Sequence, residues 1–285
     1  MMFVKSKSLY NQQETKTWWK KLVGSSETKT QSFPKPVQIQ LMPDHIKNYD
    51  KNFINWFIGF VEGYGSFDHD KIFIINQKDP KVLYFIKKNL GFGSVKSSPF
   101  GYFSFIVLNN DHIKYLINIF HNNIKLYNNQ KLLKNWITSF NLDNLNLNNN
   151  LDNLEIIKDS AWLSGYIDSN GSFYIDNIKP IFKLNHKLEL EKFKNIPYIW
   201  EKGKKIGYLN ENDYIIDNII HIKNIEKYLT KYPLKSNKNI IYKKWLKYVR
   251  IIEDEGRGKS LIEIQKKAQK INKLGKEDIV QISDK

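Results

Sequence analysis

Two stretches of this chain, WFIGFVEGYGSF (Trp56–Phe67) and WLSGYIDSNGSF (Trp162–Phe173), share Trp, Gly, Gly, Ser and Phe at one fixed offset. Their differences are mostly conservative: Phe60 against Tyr166, Val61 against Ile167, Glu62 against Asp168. Further on, HIKYL at His112 parallels IEKYL at Ile225, and KNW at Lys134 parallels KKW at Lys243. A chain that repeats itself this way is read as an internal duplication, and the fold must accommodate both copies. Each copy reads as a helix ending in a glycine turn. Gly59 and Gly63 lie four apart on one helix face, as do Gly165 and Ser169. A face of small residues lets two helix backbones approach closely, a pattern best known in membranes but set by the same sterics everywhere. Two copies per chain therefore predict a pair of helices packed about a pseudo-twofold axis. Gly65 and Gly171 would release the chain into a strand whose Ser-Phe opens a sheet. The plainer alternative is two ordinary amphipathic helices with glycine caps, but shared flanks at one fixed offset are hard to obtain that way.

The rest of the chain organises around the two copies. Residues 1–50 hold Lys, Gln, Ser and Thr, with Pro36 and Pro43 breaking any helix, and read as an N-terminal extension of low order. Neither a secretory signal nor a transit peptide is expected there. The first repeat spans 51–140, with Asn55 capping a helix that begins at Trp56. SFDHDKIFIINQK and FGSVKSSPFGYFSFIVLNN read as strands around a lysine-bearing segment, Lys81–Asn89; helices follow from His112 and over Gln130–Phe140. An Asn-rich linker occupies 141–158. The second repeat, 159–250, runs from a helix at Ala161–Ser169 through GSFYIDNIKPIFKLN and an Asn-Glu-Asn-Asp turn to two helical pieces. Residues 251–285 form a helix or tail with eight basic and seven acidic side chains.

Composition narrows the function. The 285 residues are 41% hydrophobic and 14% aromatic, enough for a real core. Forty-five Lys+Arg against 29 Asp+Glu leave a net charge of +16, which points to a polyanionic partner. The basic residues are nearly all lysine, Arg250 and Arg257 being the only arginines, and alanine is confined to Ala161 and Ala268. The favoured residues have A/T-rich codons, so part of the lysine excess is genomic; organelle genomes are the usual case. No cysteine excludes disulfides, thiolate zinc sites and cysteine nucleophiles. A mean hydropathy of −0.52 and no long uncharged apolar run exclude a membrane-spanning helix.

The motif pair resembles that of the LAGLIDADG family, the intron-encoded homing endonucleases and RNA maturases common in organelles. The resemblance covers about Asn52 to Arg250 and implies an α+β fold in which a pseudo-symmetric αββαββα unit is used twice. The motif helices would form the subdomain interface through Gly59, Glu62, Gly63, Gly65, Gly165, Asp168, Ser169 and Gly171. Two antiparallel sheets would form a saddle gripping duplex nucleic acid, with ribbons entering the major groove. In the family an acidic residue just before each motif's last glycine binds a divalent metal, usually Mg²⁺, at the scissile phosphates. A hard cation needs charged oxygen ligands, and it then activates water and stabilises the leaving oxygen. Here those positions are Tyr64 and Asn170. A phenol with a pKa about 10 is neutral at physiological pH, and an amide oxygen is uncharged. No metal is therefore expected, Glu62 and Asp168 being the fallback ligands, although the family uses their position mainly to support the helix end. The resemblance also implies a lysine near the start of each repeat's last helix: Lys235 or Lys238 in the second, and Lys131, register open, in the first. A solvated helix end is the plainer reading of these. The sheet residues Lys71, Asn76 and Lys78 after the first motif, and Asn177, Lys179 and Lys183 after the second, are expected to contact nucleic acid, lysines meeting phosphate and asparagines able to read adenine.

Three functions stay open. The chain is expected to be a mitochondrial, organelle-encoded maturase that holds a structured group I intron RNA for mRNA splicing, with DNA cleavage lost and no cofactor. Otherwise it is a site-specific homing endonuclease cutting duplex DNA with Mg²⁺, or a scaffold recruited into the mitochondrial ribosome. The expected partner is nucleic acid, with a splicing cofactor or ribosome beside it and no membrane. The protein would be a monomer containing an internal pseudo-dimer.

Overall fold

The computed structural model describes residues 50–64, 67, 71–121, 123–140, 160–185, 200–201, 204–205, 207–210, 213–254 and 260–278. Residues 1–49 of the N-terminal extension, the Asn-rich linker and Gly65 lie outside the described residues. Helix α1 (Lys51–Tyr64) starts five residues earlier than the Asn55 cap predicts. Asp50 caps it instead, its carboxylate accepting the Asn52 N–H at 2.9 Å. Phe53, Trp56, Phe57, Phe60 and Val61 are all buried, so α1 is apolar around most of its circumference, as a central helix must be.

An antiparallel bridge from Phe67 to Phe73 precedes β1 (Phe73–Gln77). The lysine-bearing segment is a helix, α2 (Pro80–Leu90). Asp79 accepts the Lys81 N–H at 3.2 Å, Pro80 fits the first turn, and Gly91 closes the helix at φ 77. The next segment is a hairpin rather than one strand, β2 (Ser94–Ser97) and β3 (Phe103–Val107), and the sheet order is β1-β3-β2. Helices α3 (Asn110–His121) and α4 (Tyr127–Thr138) close the repeat.

The second copy likewise opens on its motif helix and closes on two helices, with residues 186–199 between them outside the described residues. Helix α5 (Trp162–Asn170) leads into β4 (Gly171–Asp176) and β5 (Lys179–Asn185), a tight hairpin whose turn residues Asn177 and Ile178 adopt φ 44 and 74. Both central residues being left-handed matches the twist of the flanking strands. A β-branched residue pays for that conformation, and Tyr248 holds it, its hydroxyl donating to the Ile178 carbonyl at 2.9 Å. The short strands β6 (Trp200–Glu201), β7 (Lys204–Lys205), β8 (Tyr208–Asn210) and β9 (Asp213–Ile216) follow, with sheet order β4-β5-β9-β8. Helices α6 (Ile219–Lys231) and α7 (Lys238–Glu253) close this repeat. A last helix, α8 (Leu261–Asp278), packs against α7 and β4. Its Asn272 bonds both the N–H and the carbonyl of Ile175, at 2.9 and 2.7 Å, so a side-chain amide covers part of the open edge of β4.

The apolar faces meet in one continuous core. Phe73 packs on Phe105, Phe120 and Trp136 in the first repeat; Phe173 packs on Phe182, Tyr242 and Trp245 in the second. No helix among the described residues is long and apolar enough to cross a membrane.

Candidate functional site

Helices α1 and α5 pack on each other more extensively than any other pair of elements. A Cβ on Gly59 would overlap the Trp162 carbonyl oxygen and lie 2.8 Å from its carbonyl carbon. A Cβ on Gly165 would overlap the Trp56 oxygen and lie 2.7 Å from that carbon. The two glycines thus make reciprocal backbone contacts, each pressing on the residue three positions before the other. Gly63 lies against Ser169, and a Cβ there would come within 2.8 Å of the Asn170 amide nitrogen. Gly171, extended at φ −81, turns the chain from α5 into β4.

The two acids lie near the C-terminal ends of these helices, and both are buried, Glu62 3% and Asp168 2% exposed. Each is gripped from two directions. Glu62 Oε1 accepts the N–H groups of Lys125 and Leu126 at 2.5 and 2.7 Å, and Oε2 accepts the indole N–H of Trp162 on the other motif helix. Asp168 Oδ2 accepts the Lys235 N–H at 2.7 Å and the indole N–H of Trp56, again from the other helix, at 2.8 Å. Asp168 Oδ1 accepts the Ser236 hydroxyl at 2.5 Å and its N–H at 3.2 Å. Each carboxylate therefore ties its own repeat's last interhelical loop to the partner repeat's tryptophan. Burial pushes Glu62 up to about 7, the bonds from Leu126, Lys125 and Trp162 opposing the rise. Burial also raises Asp168, against the bonds from Lys235, Ser236 and Trp56.

The sequence showed the shared tryptophans but no reason for them. Six residues along a helix is about 600°, so a tryptophan cannot face the acid of its own helix. Across a close pseudo-twofold pair it meets the other one. Asn129 was also missed: its amide donates to the Glu62 carbonyl at 2.6 Å. In the second repeat Lys238 Nζ makes the matching approach, donating to the carbonyls of Ser169 at 2.9 Å and Ile167 at 3.4 Å. Lys131 is exposed on α4, and the first-repeat residue at the helix tip is Asn129 instead. The Lys235 side chain is exposed, its ammonium 5.8 Å from the Phe85 ring.

No family model matches the chain. It is 32% identical over 242 residues to "Probable intron-encoded endonuclease 4" of Neurospora crassa, covering 76% of this chain and 44% of that protein. The chain thus spans less than half of that relative. It is 30% identical over 254 residues to an "Uncharacterized cox1 intron-2 37.2 kDa protein" of Schizosaccharomyces pombe, covering 81% of this chain and 76% of the relative. Among solved structures, the I-SmaMI LAGLIDADG homing endonuclease bound to cleaved DNA matches with a TM-score of 0.56 at 18% identity, covering 79% of this chain and 98% of that one. The LAGLIDADG meganuclease I-CpaMI bound to uncleaved DNA matches with a TM-score of 0.53 at 16% identity, covering 78% and 97%.

The chain belongs to the LAGLIDADG family.

Members of this family implicate a divalent metal at the motif tips, and the residues here do not fit one. Tyr64 is the last residue of α1 and Asn170 the last of α5, both without charge near neutral pH. Glu62 and Asp168, the fallback, point their oxygens at protein donors in the interior rather than outward. Of the sheet residues, Asn76 accepts the Ser104 hydroxyl at 2.6 Å, and Lys183 pairs with Asp213 at 2.5 Å. Lys71 lies just before β1 with φ 56, Lys78 just after it, and Asn177 and Lys179 at the β4–β5 turn; all four are exposed.

Proposed function

We propose that this LAGLIDADG protein holds intron RNA in its active fold and has lost the cleavage of DNA, acting as a maturase in the mitochondrion without a metal cofactor. The observation that supports it most is the use of Glu62 and Asp168 as buried acceptors while Tyr64 and Asn170 stand where the family has its metal carboxylates. Losing both charged ligands removes the cation that would activate water and steady the leaving oxygen, a deficit of several kcal/mol in the transition state. The scaffold and its +16 charge are retained, which fits binding without hydrolysis. The likeness to a protein named for a cox1 intron, together with the A/T-biased composition, supports an organelle gene. Catalysis of splicing would belong to the RNA, the protein recognising its shape and backbone.

The names of the relatives favour a second reading, a site-specific endonuclease. One experiment separates them. A supercoiled plasmid carrying the intronless junction is incubated with the protein and Mg²⁺ or Mn²⁺, beside a splicing reaction with the intron transcript. The maturase reading expects intact plasmid and protein-dependent splicing. Double-strand breaks lost on Glu62→Gln or Asp168→Asn would overturn it.

A further inference from the structure

The sheets of the two repeats align by register. Phe73 stands opposite Val107 in the first as Phe182 stands opposite Ile216 in the second. Asn109 and Asn218 then precede the next helix, each side chain accepting the N–H two residues on at 2.9 Å. On this alignment Ile106 matches Ile215, and their partners on the outer strand, Ser94 and Tyr208, match each other. The motifs likewise set Tyr174 against Asp68. The duplicated fold therefore does not require an aromatic residue at either place.

The second copy also supports these two residues. Its first hairpin is the longer, pairing Phe173 with Phe182 where the first copy joins Phe67 to Phe73. Helix α8, unmatched among the described residues of the first copy, packs on β4 and holds Ile175 through Asn272. Trp245 of α7 donates its indole N–H to the Tyr174 carbonyl at 3.0 Å. At the other edge the Gly207 N–H donates to the Tyr214 hydroxyl at 2.9 Å, fixing the chain just before Tyr208.

Phe173, Phe182 and Ile216 form the row that faces the helices, so by alternation Tyr174, Ile181, Ile215 and Tyr208 face the open side. Tyr174 stands opposite Ile181, Ile215 opposite Tyr208, and the two isoleucines are diagonal neighbours. An apolar band thus crosses all four strands with a tyrosine at each end. Tyr208 is 48% exposed and Tyr174 half-buried. Among the described residues neither ring stacks on another, and neither hydroxyl is bonded. Burial raises the Tyr174 phenol, with Asp176, Tyr208 and Asp213 adding to the rise, so the ring stays uncharged. The other exposed aromatic residues form no such band: Tyr84 and Tyr127 lie on helices, and Phe100, on a hairpin turn, already stacks on Tyr102. Lys183 is bonded to Asp213 and Lys179 stands opposite Asp176, so the charges flanking the band cancel. A phosphate backbone gains little from such a face. A flat, uncharged base gains a stacking partner.

We infer that this band is a platform for unpaired bases of the RNA, Tyr174 and Tyr208 each stacking one. The backbones of β4 and β8 are three strand spacings apart, about 14 Å, which gives each ring its own base. Every base has a π-face, so the platform takes a single-stranded segment with little sequence preference. The inference rests on the RNA-binding function proposed above and names what this sheet receives, a loop rather than a helix.

The test compares two RNAs on the full chain: a stem interrupted by unpaired adenosines, one of them a fluorescent adenine analogue, and the same stem fully paired. Stacking quenches the analogue, and the wild type is expected to quench it. Tyr174→Leu and Tyr208→Leu are each expected to lose on the order of tenfold in affinity for the looped stem, and much of the quenching, at an unchanged salt slope. Their affinity for the paired stem is expected to stay the same. Tyr174→Phe and Tyr208→Phe keep the ring and are expected to match the wild type. Thermal melts check the fold, and the exposed Tyr208 carries the test should Tyr174→Leu melt early. Leucine variants that bind and quench like the wild type would overturn the platform while leaving RNA binding standing. Phenylalanine variants as weak as the leucine ones also overturn it, because the loss then belongs to the hydroxyls. A loss shared by the paired stem, with a shallower salt slope, overturns it in favour of phosphate contacts. A wild type that binds neither RNA overturns both the platform and the RNA-binding function.

Discussion

At the tip of α1 a glutamate reaches two backbone N–H groups and a partner indole, and an amide from Asn129 finishes the helix end. At the tip of α5 an aspartate, one methylene shorter, makes the same three contacts, two to backbone N–H groups and one to an indole, and recruits the Ser236 hydroxyl besides, while a lysine finishes the helix end. The two repeats therefore agree on what the acid does for the fold and disagree on the charge presented beside it. An acid that only clasps a loop and a tryptophan stays useful after catalysis is lost. A metal carboxylate would not, and the positions the resemblance implies for it hold Tyr64 and Asn170. The duplicated architecture is thus compatible with the proposed loss of cleavage, because the two rest on different residues.

The largest effects should come from the helix crossing, where the repeats are most alike. Gly59→Ala and Gly165→Ala each push a methyl into a carbonyl of the facing helix. Alanine's better helix propensity, about 1 kcal/mol, offsets only part of the strain. Each is expected to cost about 3 kcal/mol or more in urea unfolding. Near-equal losses are expected from the reciprocity of the contacts. Tolerance of one and not the other would break the symmetry argued here.

The tryptophans sharpen the comparison. Trp162→Phe leaves Glu62 with two backbone donors, whereas Trp56→Phe leaves Asp168 with Lys235 N–H and both Ser236 groups. Each variant removes a hydrogen bond to a buried acid, an effect of about 1 to 3 kcal/mol. Trp162→Phe is expected to be the costlier. A double-mutant cycle with Glu62→Gln should show coupling for Trp162 and none for Trp56.

Much of this was legible in the sequence, and the divide between what was and was not is physical. The repeated Trp-Gly-Gly-Ser-Phe frame fixed the paired helices, because close backbone approach tolerates almost no side chain at Gly59 or Gly165. The start of α1 was misplaced because Asp50 and Asn55 are both good caps, and only the burial of Phe53 decides between them. The β4–β5 hairpin was blurred because Asn177 and Ile178 are an unusual left-handed pair, and Ile gives no turn signal. Asn129 and the Trp–acid crossings join residues far apart in the chain, where periodicity carries no information. The same holds for Lys183: its spacing on the strand was visible, its pairing with Asp213 was not.

The pH dependence of stability separates the two acids. With burial holding Glu62 up to about 7 against an ordinary value of 4.5, the folded chain keeps a proton through that interval which the unfolded chain has released. Stability must then fall as pH rises through this window, the reverse of a salt-bridged carboxylate. Asp168 is shifted in the same direction, with the nearby Lys238 charge working against the rise. Thermal melts are expected to show Tm declining from about pH 5 to pH 8. Glu62→Gln should flatten most of that decline, and Asp168→Asn less of it. A Tm that rises across the window would show that the donors, not burial, govern Glu62.

The smallest expected effect is at the helix ends, and it bears on the one charge that distinguishes the repeats. Lys238 places its ammonium on the Ser169 and Ile167 carbonyls, where the dipole of α5 is negative. Asn129 offers the first repeat a hydrogen bond there but no charge. Lys238→Met keeps the stem and removes the ammonium, and is expected to cost about 1 kcal/mol or less. Asn129→Asp instead replaces a donor with an acceptor beside the Glu62 carbonyl and should cost more, about 1 to 3 kcal/mol. The measurement that matters is nucleic-acid affinity rather than melting. If the ammonium only caps the helix, Lys238→Met lowers Tm slightly and leaves binding unchanged with or without Mg²⁺. If it also meets a phosphate at the centre, affinity falls at low salt while Asn129→Ala has no such effect, and the asymmetry between the repeats becomes a difference in how they hold the two strands.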